Sequence, residues 1–400
     1  MKPQFKKRLP EAGLKLTRLL ILGLAGVLAG LTACEQQAEV KNFEPFALPK
    51  SYSVGKKPSA LLAHDMNNDG FADLLVTNTD SHNLQYFQSY GNGSFKEPLE
   101  MAVGREPMGV AAADFDSDGI PDIAVINYGD NNISLILGQK DGMFRKRGSI
   151  SLGQLRLPVA IGTGDFNGDR KADLVVTLRF DKLVILLGNG DGSFKLAESY
   201  QAASNPASLV VGDFNHDKFD DFAIAFNGVK VNYIRVYLAQ GDGTFKPPIK
   251  ITGGMQATFI TKGDVNSDGH LDLLVTNPLS DSLTLFLGDG KGRFESLPDF
   301  AAEKTPTAIV VDDFNNDKTP DLAVANKRDG SVSILEGRGD GSFVFPHYNF
   351  PVGAGPRAMV GADFNNDGLT DVALLLYEKS ILEILMRKIE GVSTIGTHDE

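Results

Sequence analysis

The sequence predicts an all-β fold, a seven-bladed β-propeller with the N-terminal strand completing the last blade. Three observations carry this expectation. An acidic pattern, Asp-x-Asn/Asp-x-Asp-x-x-x-Asp, starts at Asp65, Asp114, Asp165, Asp213, Asp264, Asp313 and Asp363, at intervals of 48 to 51 residues. Each interval holds four short apolar runs separated by turns, the arrangement of a propeller blade. The seventh unit stops after three runs, and a match for its missing fourth stands at the start of the chain.

Within a unit, an apolar strand leads into the acidic loop (Val110 to Ala113, Ser208 to Val211), and a second follows directly (Asp73 to Val76, Asp173 to Val176). A polar turn leads to a third, as at Leu183 to Leu187 and Leu283 to Leu287. Six units then carry a glycine-rich turn closed by phenylalanine, at Phe95, Phe144, Phe194, Phe245, Phe294 and Phe343. A weaker outer strand runs on to the next unit, often through Val-Gly-x-x-Pro. The seventh unit offers strands at about 357–360, 372–376 and 381–386. Phe43-Glu44-Pro45 to Val54-Gly55 mirrors Phe95-Lys96-Glu97-Pro98 to Val103-Gly104, so the N-terminal segment is expected to fill the empty place and leave no unpaired edge. The propeller is placed at residues 43–390, with a tail over 391–400. No window beyond the N-terminal segment shows a helical period.

Composition narrows the function classes. Forty-three glycines, nineteen prolines and no tryptophan suit a turn-rich fold, and a single cysteine excludes a disulfide scaffold or a cysteine-based zinc site. The net charge of −12 argues against nucleic acid as partner, since no basic excess exists to displace counterions from phosphate.

Residues 1–33 read as an export signal: six basic side chains, then an apolar stretch from Leu19 to Leu31 that suits a secretory signal better than a membrane span. Leu31-Thr32-Ala33-Cys34 resembles the lipobox of bacterial lipoproteins. The resemblance implies cleavage before Cys34, acylation of that cysteine, a tether over 34–42 and a lipid anchor in the membrane. Glu35 is not the aspartate that resembles an inner-membrane retention signal, so the outer membrane is the expected location in an organism that has one. Cleavage would remove six bases and one acid (Glu11), taking the net charge from −12 to −17.

The acidic loops suit a hard cation with six to eight oxygen ligands, such as Ca²⁺. The candidate ligands are Asp65, Asn67, Asp69 and Asp73; Asp114, Asp116, Asp118 and Asp122; Asp165, Asn167, Asp169 and Asp173; Asp213, Asn215, Asp217 and Asp221; Asp264, Asn266, Asp268 and Asp272; Asp313, Asn315, Asp317 and Asp321; and Asp363, Asn365, Asp367 and Asp371. The first six positions match an EF-hand loop, but position 12, where that motif needs glutamate, is apolar in all seven copies (Val76, Val125, Val176, Ile224, Val275, Val324 and Leu374). The loops therefore sit on β-hairpins. They hold twenty-two carboxylates, and the acids and bases outside them leave +5, so seven Ca²⁺ ions would bring −17 to −3. The second loop, with Asp116 and Gly119, is expected to bind best. The third, fourth and sixth carry Arg170, Lys218 and Lys318 at position 6 and are expected to bind least well.

The repeats, Asp-Phe-Asn-x-Asp-Gly-x-x-Asp-Leu followed by Gly-x-Gly-Asp-Gly-x-Phe, resemble the FG-GAP/VCBS family, whose relatives include the integrin α-chain propeller. The Phe-Gly and Gly-Ala-Pro elements of the integrin version are mostly absent, so integrin partners do not carry over. Arg338-Gly339-Asp340 falls in a glycine turn and reads as a turn. The glycine turns are not phosphate loops, the six histidines are scattered, and no nucleophile elbow occurs. The expected function is a non-enzymatic binding or scaffold module with a protein or glycan ligand. A calcium-dependent polysaccharide lyase, of the kind built on related propellers, and a structural envelope subunit are the alternatives.

Strand order puts the acidic loops and glycine turns on one face and the other connections opposite. The opposite face gathers Lys56, Lys57, Arg105, Arg156, Arg179, Lys182, Lys230, Lys304, Lys327, Arg328, Arg357 and Lys379, interspersed with acids. It reads as a mildly basic platform for an acidic glycan or protein patch, with Arg105, Arg328 and Arg357 as candidate ligand residues. The N-terminal segment is expected to enter on the acidic-loop side, turning the basic face away from the membrane.

Overall fold

A computed structural model describes residues 45–140, 142–228, 233–254, 256–344 and 348–388. The export signal, Cys34, the tether, Phe43, Lys230 and the tail lie outside the described residues. The described chain is all β: seven antiparallel sheets, six built from one repeat each and the seventh from the last repeat and the N-terminal strand. The third blade is typical, with strands Pro158–Gly164, Asp173–Leu178, Lys182–Gly188 and Phe194–Gln201 hydrogen-bonded in that order. In the fifth blade the outer strand is split into Phe294–Ser296 and Phe300–Ala301.

Burial falls from the middle of each blade to its rim. The second strand, such as Asp122–Asn127 or Asp371–Leu376, is buried at every residue in all seven blades. A strand covered on both faces needs a continuous apolar run, which is why Leu-Leu-Val, Ile-Ala-Val and Val-Ala-Leu follow the acidic loops. The outer strand is mostly exposed, as in Phe144–Ser151. Seven apolar clusters fill the seven junctions between neighbouring blades. The one joining the first and last blades packs Leu74 and Phe87 with Leu375 and Ile384, so the ring is closed.

The N-terminal strand, Lys50–Ser53, completes the last blade beside Ile381–Leu385, with Lys50 opposite Ile384 and Ser53 opposite Ile381. The match to the other blades is shifted from the one expected. Phe46 bridges Arg387 as Phe95 bridges Ser89, so Phe46-Ala47-Leu48-Pro49, not Phe43-Glu44-Pro45, corresponds to Phe95 through Pro98. The spacing to Val54 and Val103 is then equal. Phe46 is buried and meets Phe314 edge-on at 6.2 Å, taking the place of the missing glycine-turn phenylalanine.

The inner strands also begin earlier than the apolar runs suggest. Six start at the proline of the blade connection, with a bulge immediately after it. The residue before each proline has positive φ: Lys57, Glu106, Leu157, Asn205, Thr305 and Gly355. Proline supplies no N–H and tolerates the first position of a strand, where the bulge turns the chain into the ring.

Candidate functional site: seven acidic loops on one face

Each acidic loop is folded by its own side chains. In the first, the Asp65 carboxylate accepts from the backbone N–H of Asp69 (3.1 Å) and Gly70 (2.8 Å), and Asp69 Oδ1 accepts from Phe71 N–H (2.9 Å). The bond from position 6 to position 1 recurs in all seven loops, as does the bond from position 7 to position 5. Positions 4 and 6 have positive φ in every loop. Glycine holds position 6 in four of them; Arg170, Lys218 and Lys318 adopt the same left-handed backbone at greater cost.

Position 9 has a role that the ligand pattern alone does not reveal. Asp73, Asp122, Asp173, Asp221, Asp272, Asp321 and Asp371 are fully buried. One oxygen accepts from the position-2 N–H (Phe115 to Asp122, 2.8 Å) and the other from the end of the third strand (Gly138 to Asp122, 2.8 Å). The same pair of bonds occurs in every blade. Burial pushes these carboxyls up to about 6, and Asp221 to about 7, against the lowering effect of their backbone bonds. In five of the seven each oxygen keeps a second lone pair, and in Asp73 and Asp321, whose Oδ2 also accepts from the Tyr86 hydroxyl (2.8 Å) and Asn315 N–H (3.1 Å), Oδ1 keeps one, so tying loop to sheet and ligating a cation are compatible.

Position 3 divides the loops. In six, the Asn oxygen accepts from the position-5 N–H. In four of these the Asn amide also donates to the position-5 carboxylate, at 2.9 Å. The second loop has Asp116, which cannot donate. Its Oδ1 is buried without a hydrogen-bond partner, and burial followed by the charges of Asp118 and Asp114 raises its pKa. Asp114, Asp116 and Asp122 bring carboxylate oxygens within 4.8 Å of one another, the one such cluster among the described residues. Asp118 stands outside that group, bonded to Ile120 N–H at 2.9 Å.

The glycine turns share this face. Gly93, Gly192 and Gly292 donate to the position-2 carbonyls of Phe364, Phe115 and Phe214 in the preceding blade of the ring. The turn phenylalanine meets the loop phenylalanine edge-on, as in Phe95–Phe364, Phe115–Phe194, Phe166–Phe245 and Phe214–Phe294. Position 2 is thus packing, and the turn of one blade braces the loop of another. Arg338-Gly339-Asp340 is such a turn, with the Asp340 carboxylate accepting from Ser342 N–H at 2.9 Å. Two of the histidines, distant in sequence, do meet: His216 Nε2 and His270 Nδ1 lie 3.0 Å apart, joining the fourth and fifth loops.

On the opposite face many of the expected basic residues are already engaged. Arg105 Nε lies 2.6 Å from Asp130, Lys57 2.8 Å from Asp80 and Lys304 3.1 Å from Asp281. Arg357 sits over the Tyr377 ring at 4.8 Å, and Arg328 lies in the field of Asp281. These pairs leave the face less basic than its list of cations suggests.

The fold and loops define a seven-bladed repeat propeller whose acidic loops gather on one face. A family model described as an FG-GAP-like repeat matches residues 65–125, 116–176, 165–224, 221–275, 264–324 and 313–374, and the chain belongs to that family. A search of curated proteins finds no match. Among solved structures, the chain is similar to one from the crystal structure of BBS1N in complex with ARL6DN, soaked with lead: TM-score 0.62, 12% identity, covering 87% of this chain and 98% of that one. It is also similar to an Agrocybe aegerita lectin that recognises non-reducing terminal N-acetylglucosamine: TM-score 0.53, 16% identity, covering 74% of this chain and 80% of that one. At these identities the likeness is one of fold.

Proposed function

We propose that this FG-GAP propeller is a non-enzymatic binding or scaffold module, stabilised by Ca²⁺ at its acidic loops and held at the cell envelope by a lipid on Cys34. The calcium reading is carried by the second loop: Asp116 keeps a buried oxygen with no hydrogen-bond partner, facing a cluster of like charge with Asp114 and Asp122. Buried anionic oxygens need a counter-charge. The donor set, carboxylates and amides only, fits a hard cation. In each loop the side chains at positions 1, 3, 5 and 9 would hold it, and the ion would neutralise their mutual repulsion. Chelation is expected to lower the melting temperature; an unchanged melting curve would overturn the calcium reading.

The ligand, a protein or glycan, is assigned to the face opposite the loops. The chain reaches its first described residues on the loop side, where Lys388 N–H donates to the Pro45 carbonyl and Lys50 to the Gly93 carbonyl. An anchor preceding them would turn that side to the membrane, the outer membrane in an organism that has one. Cys34→Ala should release the protein from membranes, and retention of that variant would overturn the anchor. A glycan array read alongside product analysis separates binding from catalysis: binding without cleavage supports the module, and an eliminated product the lyase.

A further inference from the structure

The face opposite the acidic loops is not flat. Where the first four blades meet, a cavity of about 410 Å³ opens, at the small end of the size range of ligand pockets. Its walls come from equivalent points of successive repeats: the residue just after the second strand is Thr79, Tyr128, Arg179 and Asn227 in turn, and all four line it. Met108, Val159 and Ala207, from the inner strands, supply an apolar surface. Glu106 and Asn205, the positive-φ residues that precede the blade prolines, add polar atoms at the edge.

Arg179 is the cation of this face that lines the cavity, and it differs from the ion-paired ones. Arg105, Lys57 and Lys304 are each ion-paired, whereas Arg179 has no acidic partner among the described residues. Its Nη1 donates to the Tyr128 hydroxyl at 2.6 Å, which fixes the guanidinium at the cavity wall. The remaining N–H donors keep the planar fork that matches a carboxylate. A ligand filling this space meets one cation, an apolar patch, two amides and one carboxylate. That combination suits a ring with a C–H face, several hydroxyls and one acid group. It suits a bare inorganic anion poorly, because such an anion has nothing to lay on Met108, Val159 and Ala207.

We propose that this cavity binds a hydroxylated carboxylate of single-sugar size, the chemistry of a uronic acid residue. Arg179 takes the carboxylate, Asn205, Asn227 and Glu106 take hydroxyls, and the apolar wall takes the ring face. The proposal rests on the assignment of the ligand to this face and narrows it to blades one to four.

The test is titration calorimetry of the calcium-loaded protein with galacturonate and glucuronate oligosaccharides, neutral sugars of matched stereochemistry, and acetate. The acidic sugars are expected to bind at least tenfold more tightly than their neutral counterparts, and acetate not measurably. Arg179→Gln, at an exposed position, should leave the melting temperature unchanged and erase the preference for the acid. Asn227→Ala should weaken acidic and neutral sugars alike. Equal binding of acidic and neutral sugars, undiminished binding by Arg179→Gln, or no uronate binding overturns the proposal. The triple reversal of Arg105, Arg328 and Arg357 to glutamate separates the two levels. A ligand lost in that variant but indifferent to Arg179 keeps the face and discards the cavity; one indifferent to both discards the face as well.

Discussion

The second and sixth acidic loops follow the same path and differ in what they ask of a cation. Both close position 1 on the position-6 N–H (2.9 Å to Gly119, 2.8 Å to Lys318) and anchor position 9 on the position-2 N–H (2.8 and 2.9 Å). In the sixth, the Asn315 oxygen accepts from Asp317 N–H at 2.9 Å; in the second, Asp116 keeps an unpartnered buried oxygen. Lys318 holds a positive φ of 71° where the second loop has glycine at 86°. The shared hydrogen bonds make the loop, and positions 3 and 6 are where the two differ as candidate cation sites.

The largest expected effect is loss of the metal everywhere. A ligand binding only the native state contributes about 2.7 kcal/mol per site at a hundredfold excess over its dissociation constant. Calcium titration followed by differential scanning calorimetry should therefore show stepwise stabilisation, the second site filling first. Asp118→Ala is expected to harm its blade more than Asp317→Ala harms the sixth, and equal effects would break the ranking.

Next comes the buried aspartate. Asp122→Ala strands two backbone N–H groups, and Asp321→Ala the equivalent two with a third, partly exposed one from Asn315, at about 1–3 kcal/mol for each buried one. Because that role belongs to the shared backbone, both variants should lose a similar amount in chelator, and more in calcium, where a proposed ligand is lost as well. A loss that vanishes in chelator would make position 9 purely a ligand.

The same residues set the pH response of the metal-free protein. Their folded pKa values of about 6 to 7 stand above the ordinary aspartate value of 3.8. The native state therefore holds more protons than the unfolded chain between about pH 4 and 6, and stability falls as pH rises through that window. Calcium should reverse this trend, since it competes with protons for the same oxygens. Melting temperatures across pH 4.5 to 8, with and without chelator, check both signs.

Two smaller substitutions sharpen the contrast. Asp116→Asn should stabilise the chelated protein by about 1 kcal/mol, by giving position 3 a donor, and should reduce the stabilisation gained from calcium. Lys318→Gly should relieve left-handed strain of about 1 kcal/mol, whereas Gly119→Lys should introduce it. Thermal melts of the pair should move in opposite directions.

Much of this was legible in the sequence because each repeat repeats its reasons. The run after every acidic loop is apolar without alternation because both faces of the second strand are covered, and seven such runs count seven blades. The shift from Phe43 to Phe46 escaped because a Phe-x-Pro segment stood three residues upstream, and only the pairing with the last strand and the bridge to Arg387 fix the register. The structural role of Asp122 escaped because a buried acceptor of N–H bonds and a candidate metal ligand require the same side chain. The cavity at Arg179 left no local signal, since Thr79, Tyr128, Arg179 and Asn227 are neighbours only once the ring curves. The pairing of Arg105 with Asp130 was equally invisible, the two lying in different loops.

The strand Lys50–Ser53 is synthesised before any blade and used after all of them. Its partner, Ile381–Leu385, is the last strand of the described chain to be made, so the ring stays open until all seven blades have been made. Long-range closure of this kind is slow relative to local hairpins. The clasp also has a mechanical side. A pull through the residues before Pro45 arrives first at Phe46 and then at four paired residues. Such a load meets the clasp before the other six blades, so the molecule is expected to yield by opening its ring at the junction that closes it.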